Sequence, residues 1–310
     1  MAGGDVMLME DIERFIEERR AAGFRFDGAI WPLRSFGRFA VAQGDQFIRS
    51  ETILTWAALT PTAKQRVRRL QTVRLLARYL HAEDPRHEIP PEGVFCAPTG
   101  RKPPYILSDA EIQRLILAAR DLGPSGSIRP WAYATLFGLL AVTGMRISEA
   151  LALRCADVTN DGLVVRETKF RKSRLLPLAD STWEVLRDYL SRRACVVGED
   201  DHVFISLYGS RLSYYAVWEN FRALCQTAGV PERQAATKSV RLHDIRHTFA
   251  VNALRACPDN RDRATQHMLA LTTYMGHARI SSTYWYLEAT PELLDDISQA
   301  AATVIHGGAL

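Results

Sequence analysis

Residues 242–250 read LHDIRHTFA, a sequence that places two histidines and an arginine beside apolar residues. His243, Arg246 and His247 are separated by three and four positions, so a helix brings all three to one face. Such a face offers hydrogen-bond donors and a fixed positive charge, which suit a phosphate group. A capped core helix with surface histidines is the structural alternative.

The two histidines also match the spacing of the His-Glu-x-x-His helix of zinc hydrolases. In that motif the second position is a glutamate that acts as the base, whereas this chain has Asp244. A guanidinium at Arg246, between the two ligands, would repel a divalent cation. We therefore expect no metal at this helix.

A second stretch, residues 143–151, reads TGMRISEAL. Gly144 is predicted to end an apolar helix, Arg146 follows the turn, and Glu149 lies three residues later on the same helical face. An arginine held by a carboxylate near a buried helix is placed to bind a phosphate with its planar fork. A purely structural Arg–Glu pair is the alternative, which the local spacing alone favours.

A third stretch, residues 274–287, reads YMGHARISSTYWYL. Gly276 marks a helix end, His277 follows it, and Tyr286 lies nine residues after that histidine. Aromatic residues at this spacing most often belong to a core, so the stretch predicts no chemistry by itself.

Taken together, the three stretches offer arginines, histidines and a tyrosine that suit phosphoryl transfer without a metal. The sequence has no cluster of acidic residues for two-metal chemistry and no Gly-x-x-x-x-Gly-Lys-Ser/Thr loop for ATP. We therefore expect no cofactor.

The bulk composition is that of an ordinary globular protein of about two domains, with 310 residues and a net charge of +4. Its five cysteines are odd in number, widely spaced and without a Cys-x-x-Cys pair, which disfavours a disulfide framework. The first residues lack a signal-peptide pattern, and the longest uncharged stretch, residues 131–145, is too short to span a membrane. A cytoplasmic, nucleoid-associated bacterial protein with no membrane partner is expected.

The first part of the chain reads as short helices over residues 9–20, 30–41 and 52–59. A fourth helix is predicted to start at Thr60, as N-cap before Pro61, and to run to His81. No acidic residue interrupts its basic side chains, so contact with the DNA backbone is predicted, against the alternative of arginines that lie along a solvated face. The predicted DNA-binding residues of this helix are Lys64, Arg66, Arg68, Arg69 and Arg74.

A segment rich in Pro and Gly, residues 88–105, is predicted to link an N-terminal helical DNA-binding domain, residues 1–87, to a second domain, residues 106–310. Arg101 and Lys102 within this linker are also predicted to contact DNA. The second domain opens with a capping box at Ser108 and Glu111. Two short strands, at residues 162–166 and 174–178, flank a basic turn.

The three stretches, in this order and at these separations, resemble the tyrosine recombinase (phage integrase) family. The resemblance covers residues 108–290, and residues 284–294 are similar to recombinases of mobile elements such as transposons. It implies a mainly α fold with a small antiparallel β-sheet. The implied domains are an N-terminal helical core-binding (SAM-like) domain and a tyrosine recombinase catalytic domain, which together clamp duplex DNA.

The resemblance also implies roles for single residues. Tyr286 corresponds to the nucleophile, with Tyr284 as the competing assignment, and it would form a 3′-phosphotyrosine link. Arg146 and Arg246 correspond to the phosphate-binding arginines, and His277 to a further hydrogen-bond donor.

The remaining roles concern proton transfer and orientation. His243 corresponds to the histidine that assists Tyr286, and Glu149 to the acid that orients the first arginine. Lys169 corresponds to the lysine that protonates the leaving 5′ oxygen. Lys172 is a possible substitute for it and is otherwise a predicted DNA contact.

Recombination of two duplexes further implies a homotetramer on paired sites in double-stranded DNA. A C-terminal tail helix, residues 291–305, would dock on a neighbouring copy or pack within its own chain. Two other functions use similar residues or the same fold: a type IB topoisomerase and a catalytically silent DNA-binding accessory protein.

Overall fold

The computed structural model describes residues 3–24, 26–98, 104–166, 173–198, 200–230, 240–256 and 261–276. The chain divides into two compact units, residues 1–101 and 102–310. Among the helices described, none is both long enough and apolar enough to cross a membrane.

The first unit contains the four helices that the sequence predicts. Their apolar faces share one core, in which Phe36 packs edge-on against Trp56 with ring centroids 5.6 Å apart. Phe15 is fully buried in the same core. The helices are α1 (Gly3–Ala21), α2 (Asp27–Ala42), α3 (Ser50–Ala58) and α4 (Ala63–Glu83).

The predicted start of α4 at Thr60 is wrong. Thr62 is the N-cap, and its side chain accepts a hydrogen bond from the Gln65 amide at 3.3 Å. The Thr60 hydroxyl instead donates to the Ala57 carbonyl at 3.3 Å, where it satisfies the end of α3. The sequence offers two threonines around Pro61, and the short turn between α3 and α4 assigns one to each helix.

The beginning of the predicted linker packs on the first unit. The Glu88 amide donates to the Ile48 carbonyl at 2.8 Å, and Arg74 donates to the Pro90 carbonyl at 2.6 Å. Phe95 packs against the core of the same unit. A high content of Pro and Gly therefore does not prevent this segment from being held by the fold.

The second unit is mainly helical with a small sheet, as predicted. The capping box at the start of α5 forms as expected between Ser108 and Glu111. The described helices are α5 (Asp109–Arg120), α6 (Ile128–Thr143), α7 (Ile147–Ala152), α8 (Asp180–Ala194), α9 (Tyr214–Thr227), α10 (Leu242–Arg255) and α11 (Arg261–Tyr274).

The sheet consists of β1 (Val158–Thr159), β2 (Gly162–Val165) and β3 (Arg174–Leu176), all antiparallel and in that order. Val165 pairs with Arg174, and Leu163 pairs with Leu176. Because alternate residues of a strand point to the same side, Arg174 shares the core-facing side of β3 with the fully buried Leu176.

Helix α6 lies at the centre of this unit and packs against α5, α8 and α10. It ends at Gly144, whose φ of +58° is a left-handed conformation that favours glycine. A Cβ atom at this position would lie 2.2 Å from the Phe249 ring of α10. Gly144 therefore allows both the turn that leads to Arg146 and the close packing of α10 on α6.

We predict that Gly144→Ala destabilises the second unit by about 2–5 kcal/mol, because it adds backbone strain to a collision with an aromatic ring. Gly138→Ala is the matched control in the same helix, since its Cβ would meet only Ile116, at 3.8 Å. It should be neutral or stabilise the helix by up to about 1 kcal/mol. Urea unfolding followed by tryptophan fluorescence measures both variants, and equal stabilities would contradict the assignment.

Candidate active site

Helix α10 carries Arg246 into the interior of the second unit, whereas His243, at the start of the helix, stays accessible to solvent. Arg246 is 3% exposed, and it donates to the Gly144 carbonyl at 2.6 Å and to the Met275 carbonyl at 2.7 Å. One guanidinium thus joins the end of α6 to the end of α11.

Arg146 and Glu149 form the predicted pair at the start of α7. Glu149 occupies the third helical position and accepts hydrogen bonds from the Arg146 amide at 2.9 Å and from Arg146 Nη1 at 2.7 Å. Arg146 Nη2 also donates to the Gly276 carbonyl at 3.1 Å. The first predicted arginine is therefore held by α7 on one side and by the end of α11 on the other.

Arg174 is a third arginine of this cluster, and the sequence did not single it out. Its Nη2 and Nη1 atoms donate to the two carboxylate oxygens of Glu149, at 2.7 and 3.2 Å. Its Nε donates to the Tyr274 carbonyl at 2.8 Å. The available signal was the alternation of β3, which puts Arg174 on the same side as the buried Leu176.

Three consecutive carbonyls, those of Tyr274, Met275 and Gly276, therefore accept hydrogen bonds from three arginines. The last carbonyls of a helix have no partner within the helix and carry partial negative charge, so cations are favourable there. Gly276 has a φ of +64°, and a Cβ at this position would lie 2.9 Å from Arg174 Nη1. The arginines fit this helix end closely, immediately before His277 in the sequence.

The carboxylate of Glu149 is ionised within this cluster. Burial opposes its charge, but hydrogen bonds and attraction from Arg174 and Arg146 outweigh burial and lower the pKa of Glu149 to about 2. With three guanidinium groups against one carboxylate, the cluster of Arg146, Arg174, Arg246 and Glu149 has an excess of positive charge that suits an anion.

His243 lies at the start of α10, with part of its surface exposed and the rest of the ring crowded by protein. This burial, together with the charges of Arg246, Arg146 and Arg241, lowers the pKa of His243 to about 4. The ring is therefore neutral at pH 7 and can accept a proton. It contacts the buried His247 edge-on, with ring centroids 4.6 Å apart.

Four of the predicted site residues thus come together: Arg146, Glu149, His243 and Arg246. The other predicted positions of the site fall outside the residues that the structure describes. These are Lys169, Lys172, His277 and Tyr286, together with Tyr284, Arg101, Lys102 and the tail helix at 291–305.

Of the basic residues predicted on α4, three make contacts within the first unit. Arg66 donates to the Thr60 carbonyl at 2.9 Å. Arg69 donates to the Trp56 carbonyl at 3.0 Å and stacks 4.5 Å from the centroid of that tryptophan ring. Arg74 pairs at 2.9 Å with Glu92, an acid that lies outside the helix. Lys64 and Arg68 are exposed.

Among the residues described, one group of three potential metal ligands occurs: Asp200, Asp201 and His202. The Asp200 carboxylate already accepts hydrogen bonds from the amides of His202 and Arg211. It also contacts the His202 ring at 2.5 Å. These contacts account for the group as a loop-stabilising network, and none of its members belongs to the arginine cluster.

Comparison with known proteins identifies the family. Residues 106–292 match the model of the phage integrase family. The putative integrase/recombinase y4rB of Sinorhizobium fredii is 38% identical over 297 residues, which cover 92% of this chain and 94% of that protein. Tyrosine recombinase XerD of Oceanobacillus iheyensis is 29% identical over 238 residues, 75% of this chain and 74% of that protein.

The fold agrees with solved structures of the same group. The XerH site-specific recombinase, in a post-cleavage complex with a palindromic difH substrate, superimposes with a TM-score of 0.67 at 18% identity. The match covers 96% of this chain and 85% of that one. From the matched domain, the related sequences and the shared fold together, this chain belongs to the phage integrase family of tyrosine recombinases.

Proposed function

We propose that this recombinase cuts and rejoins double-stranded DNA through Tyr286, with Arg146 and Arg246 binding the scissile phosphate. The observation that carries this proposal is the meeting of these two arginines at adjacent carbonyls, Gly276 and Met275, next to a neutral His243. A phosphodiester in the transition state gains negative charge on its non-bridging oxygens, and preorganised guanidinium groups stabilise that charge.

The proposed cleavage step transfers one phosphoryl group and two protons. The Tyr286 oxygen attacks phosphorus, the bond from phosphorus to the 5′ oxygen breaks, and a 3′-phosphotyrosine link forms. A free phenol has a pKa of about 10, so it is a weak nucleophile until a base such as neutral His243 accepts its proton. Lys169, or Lys172 in its place, gives a proton to the departing 5′ oxygen.

The rejoining step reverses these transfers with a different 5′ hydroxyl. The covalent link conserves the energy of the phosphodiester bond, so neither ATP nor a metal is needed for strand exchange. His277 adds a hydrogen bond to the phosphate in both steps.

Exchange between two duplexes requires four such cleavages, so we propose a homotetramer on paired DNA sites. A relative by fold, the lambda integrase, has been solved as a tetramer bound to a Holliday junction. In this chain, residues 291–305 are the segment proposed to join neighbouring copies. The candidates for DNA-backbone contacts, at the bacterial nucleoid where the substrate lies, are the predicted basic residues of α4 and the linker: Lys64, Arg66, Arg68, Arg69, Arg74, Arg101 and Lys102.

We predict that the native chain forms a covalent adduct with nicked DNA substrates that carry sequences from the flanks of its gene. The nick lets the cleaved fragment diffuse away, so the phosphotyrosine accumulates instead of being rejoined. Denaturing gels detect the adduct, and peptide mass mapping locates it on Tyr286.

Tyr286→Phe is the matched variant for this test, because it removes only the hydroxyl. An adduct on Tyr284 would reassign the nucleophile, and tight binding without any adduct would favour a silent DNA-binding protein. Relaxation of supercoiled plasmid without strand exchange would favour a topoisomerase.

We predict that Arg146→Ala slows adduct formation by about 10²–10³-fold, the usual cost of losing one transition-state donor, while DNA affinity changes little. Arg154→Ala is the control, since Arg154 is an exposed arginine of the same unit that pairs with Asp201. Single-turnover cleavage and fluorescence anisotropy separate the two effects. Equal cleavage by both variants would remove Arg146 from the reaction.

We predict that His243 in the DNA-free protein titrates near pH 4, below the ordinary value of about 6.5. Burial and three neighbouring cations disfavour the imidazolium, so the ring stays neutral as the pH falls through 6.5. Ring NMR signals followed from pH 8 to as far below pH 4 as the protein stays folded, assigned with a His243→Gln variant, measure the midpoint. A midpoint at or above 6.5 would contradict the effect of burial and of the neighbouring cations on the pKa of this ring.

A further inference from the structure

Arg174 is a charged residue of the second unit to which the proposed reaction gives no role. Its side chain is 11% exposed, and it lies on the core-facing side of β3. Its Nε, Nη1 and Nη2 atoms all donate to protein groups: the carboxylate of Glu149 and the carbonyl of Tyr274. An arginine used in this way is poorly placed to bind a DNA phosphate itself.

The contacts of Arg174 lead directly to Arg146. Glu149 uses both carboxylate oxygens twice, once toward Arg174 and once toward the amide or Nη1 of Arg146. Arg146 then reaches the Gly276 carbonyl, two residues beyond the Tyr274 carbonyl that Arg174 holds. Hydrogen bonds and the backbone from Tyr274 to Gly276 thus connect these five residues in a closed ring that joins β3, α7 and the end of α11.

We propose that Arg174 is a positioning residue for strand cleavage: it fixes Glu149, and through Glu149 the guanidinium of Arg146, against the end of α11. This inference rests on the proposed function. Without Arg174, only Arg146 would hold Glu149. The Glu149 carboxylate and the Arg146 guanidinium could then rotate together. The guanidinium of Arg146 would then lose its fixed direction toward a phosphate.

The geometry of the guanidinium group explains why arginine is needed at this position. Arg174 contacts two carboxylate oxygens and one carbonyl at the same time, which requires donors in a rigid planar fork. A lysine has the same charge but a single nitrogen on a flexible chain, so it cannot reproduce the three contacts. Arg174→Lys therefore preserves the charge of the site but removes the hydrogen bonds that align Glu149 and Arg146.

The test compares Arg174→Lys with Arg193→Lys in the full-length chain. Arg193 is the matched control because it also bridges two backbone carbonyls of the same unit, those of His202 and Asp200, away from the arginine cluster. Thermal unfolding, DNA affinity and single-turnover cleavage of nicked DNA are measured for both variants. Cleavage is compared at a temperature at which both are folded.

We expect Arg174→Lys to slow cleavage by about 10²-fold, the scale of a small misplacement of a reacting group, with nearly native DNA affinity. Arg193→Lys should lower thermal stability without slowing cleavage. Native cleavage by Arg174→Lys would overturn the inference while leaving the recombinase function intact. An equal loss of cleavage in both variants would also overturn it, because general destabilisation would then explain the effect.

A second measurement does not depend on recombination. The charge of Arg146 is one of the causes that keep the His243 ring neutral, so releasing Arg146 should raise the midpoint of the His243 titration toward its ordinary value. Arg193→Lys should leave that midpoint unchanged. If the native chain forms no DNA adduct, the proposed function fails, and this titration still decides the positioning role: an unchanged midpoint in Arg174→Lys overturns it.

Discussion

The site depends on one interaction, the hydrogen bonding of three arginines to three consecutive carbonyls at the end of α11. Arg174, Arg246 and Arg146 bind the carbonyls of Tyr274, Met275 and Gly276, respectively. Three guanidinium groups repel one another, and the partial negative charge of a helix C-terminus offsets part of that repulsion. The same contacts connect β3, α10 and α7 to one point, directly before the segment that begins with His277.

Glu149 supplies the negative charge that the helix end cannot. A buried carboxylate is unfavourable alone, and removing one partner from such a group commonly costs several kcal/mol. Here two arginines surround it, and its pKa falls to about 2. The remaining positive charge has a chemical consequence for His243, because burial and then the neighbouring cations lower the pKa of that ring and keep it neutral. One arrangement of charge thus provides an anion-binding site and helps to keep the imidazole beside it neutral.

Much of the site was predictable because its signals are local. Helical spacing brings His243 toward Arg246 and Arg146 toward Glu149, and a glycine at each helix end marks where the chain turns. The predicted start of α4 was wrong because two threonines flank Pro61. Only the contact of Thr60 with the end of α3 shows that Thr62 is the N-cap of α4. The expectation that no acid compensates the basic residues of α4 failed for a related reason. Glu92, which pairs with Arg74, lies outside the helix.

The sequence by itself determined the presence of four helices in the first unit, the motif residues and the family resemblance, since each depends on residue types at short, fixed separations. The tertiary structure alone decided which backbone carbonyls the arginines bind and that Arg174 joins them. Arg174 and Tyr274 are 100 residues apart, and Arg146 and Gly276 are 130 apart. Every residue except the last carries a peptide carbonyl, whatever its side chain. The residue type at a position therefore does not reveal whether an arginine binds its carbonyl. Only the packing of α6, α10 and α11 makes those carbonyls available.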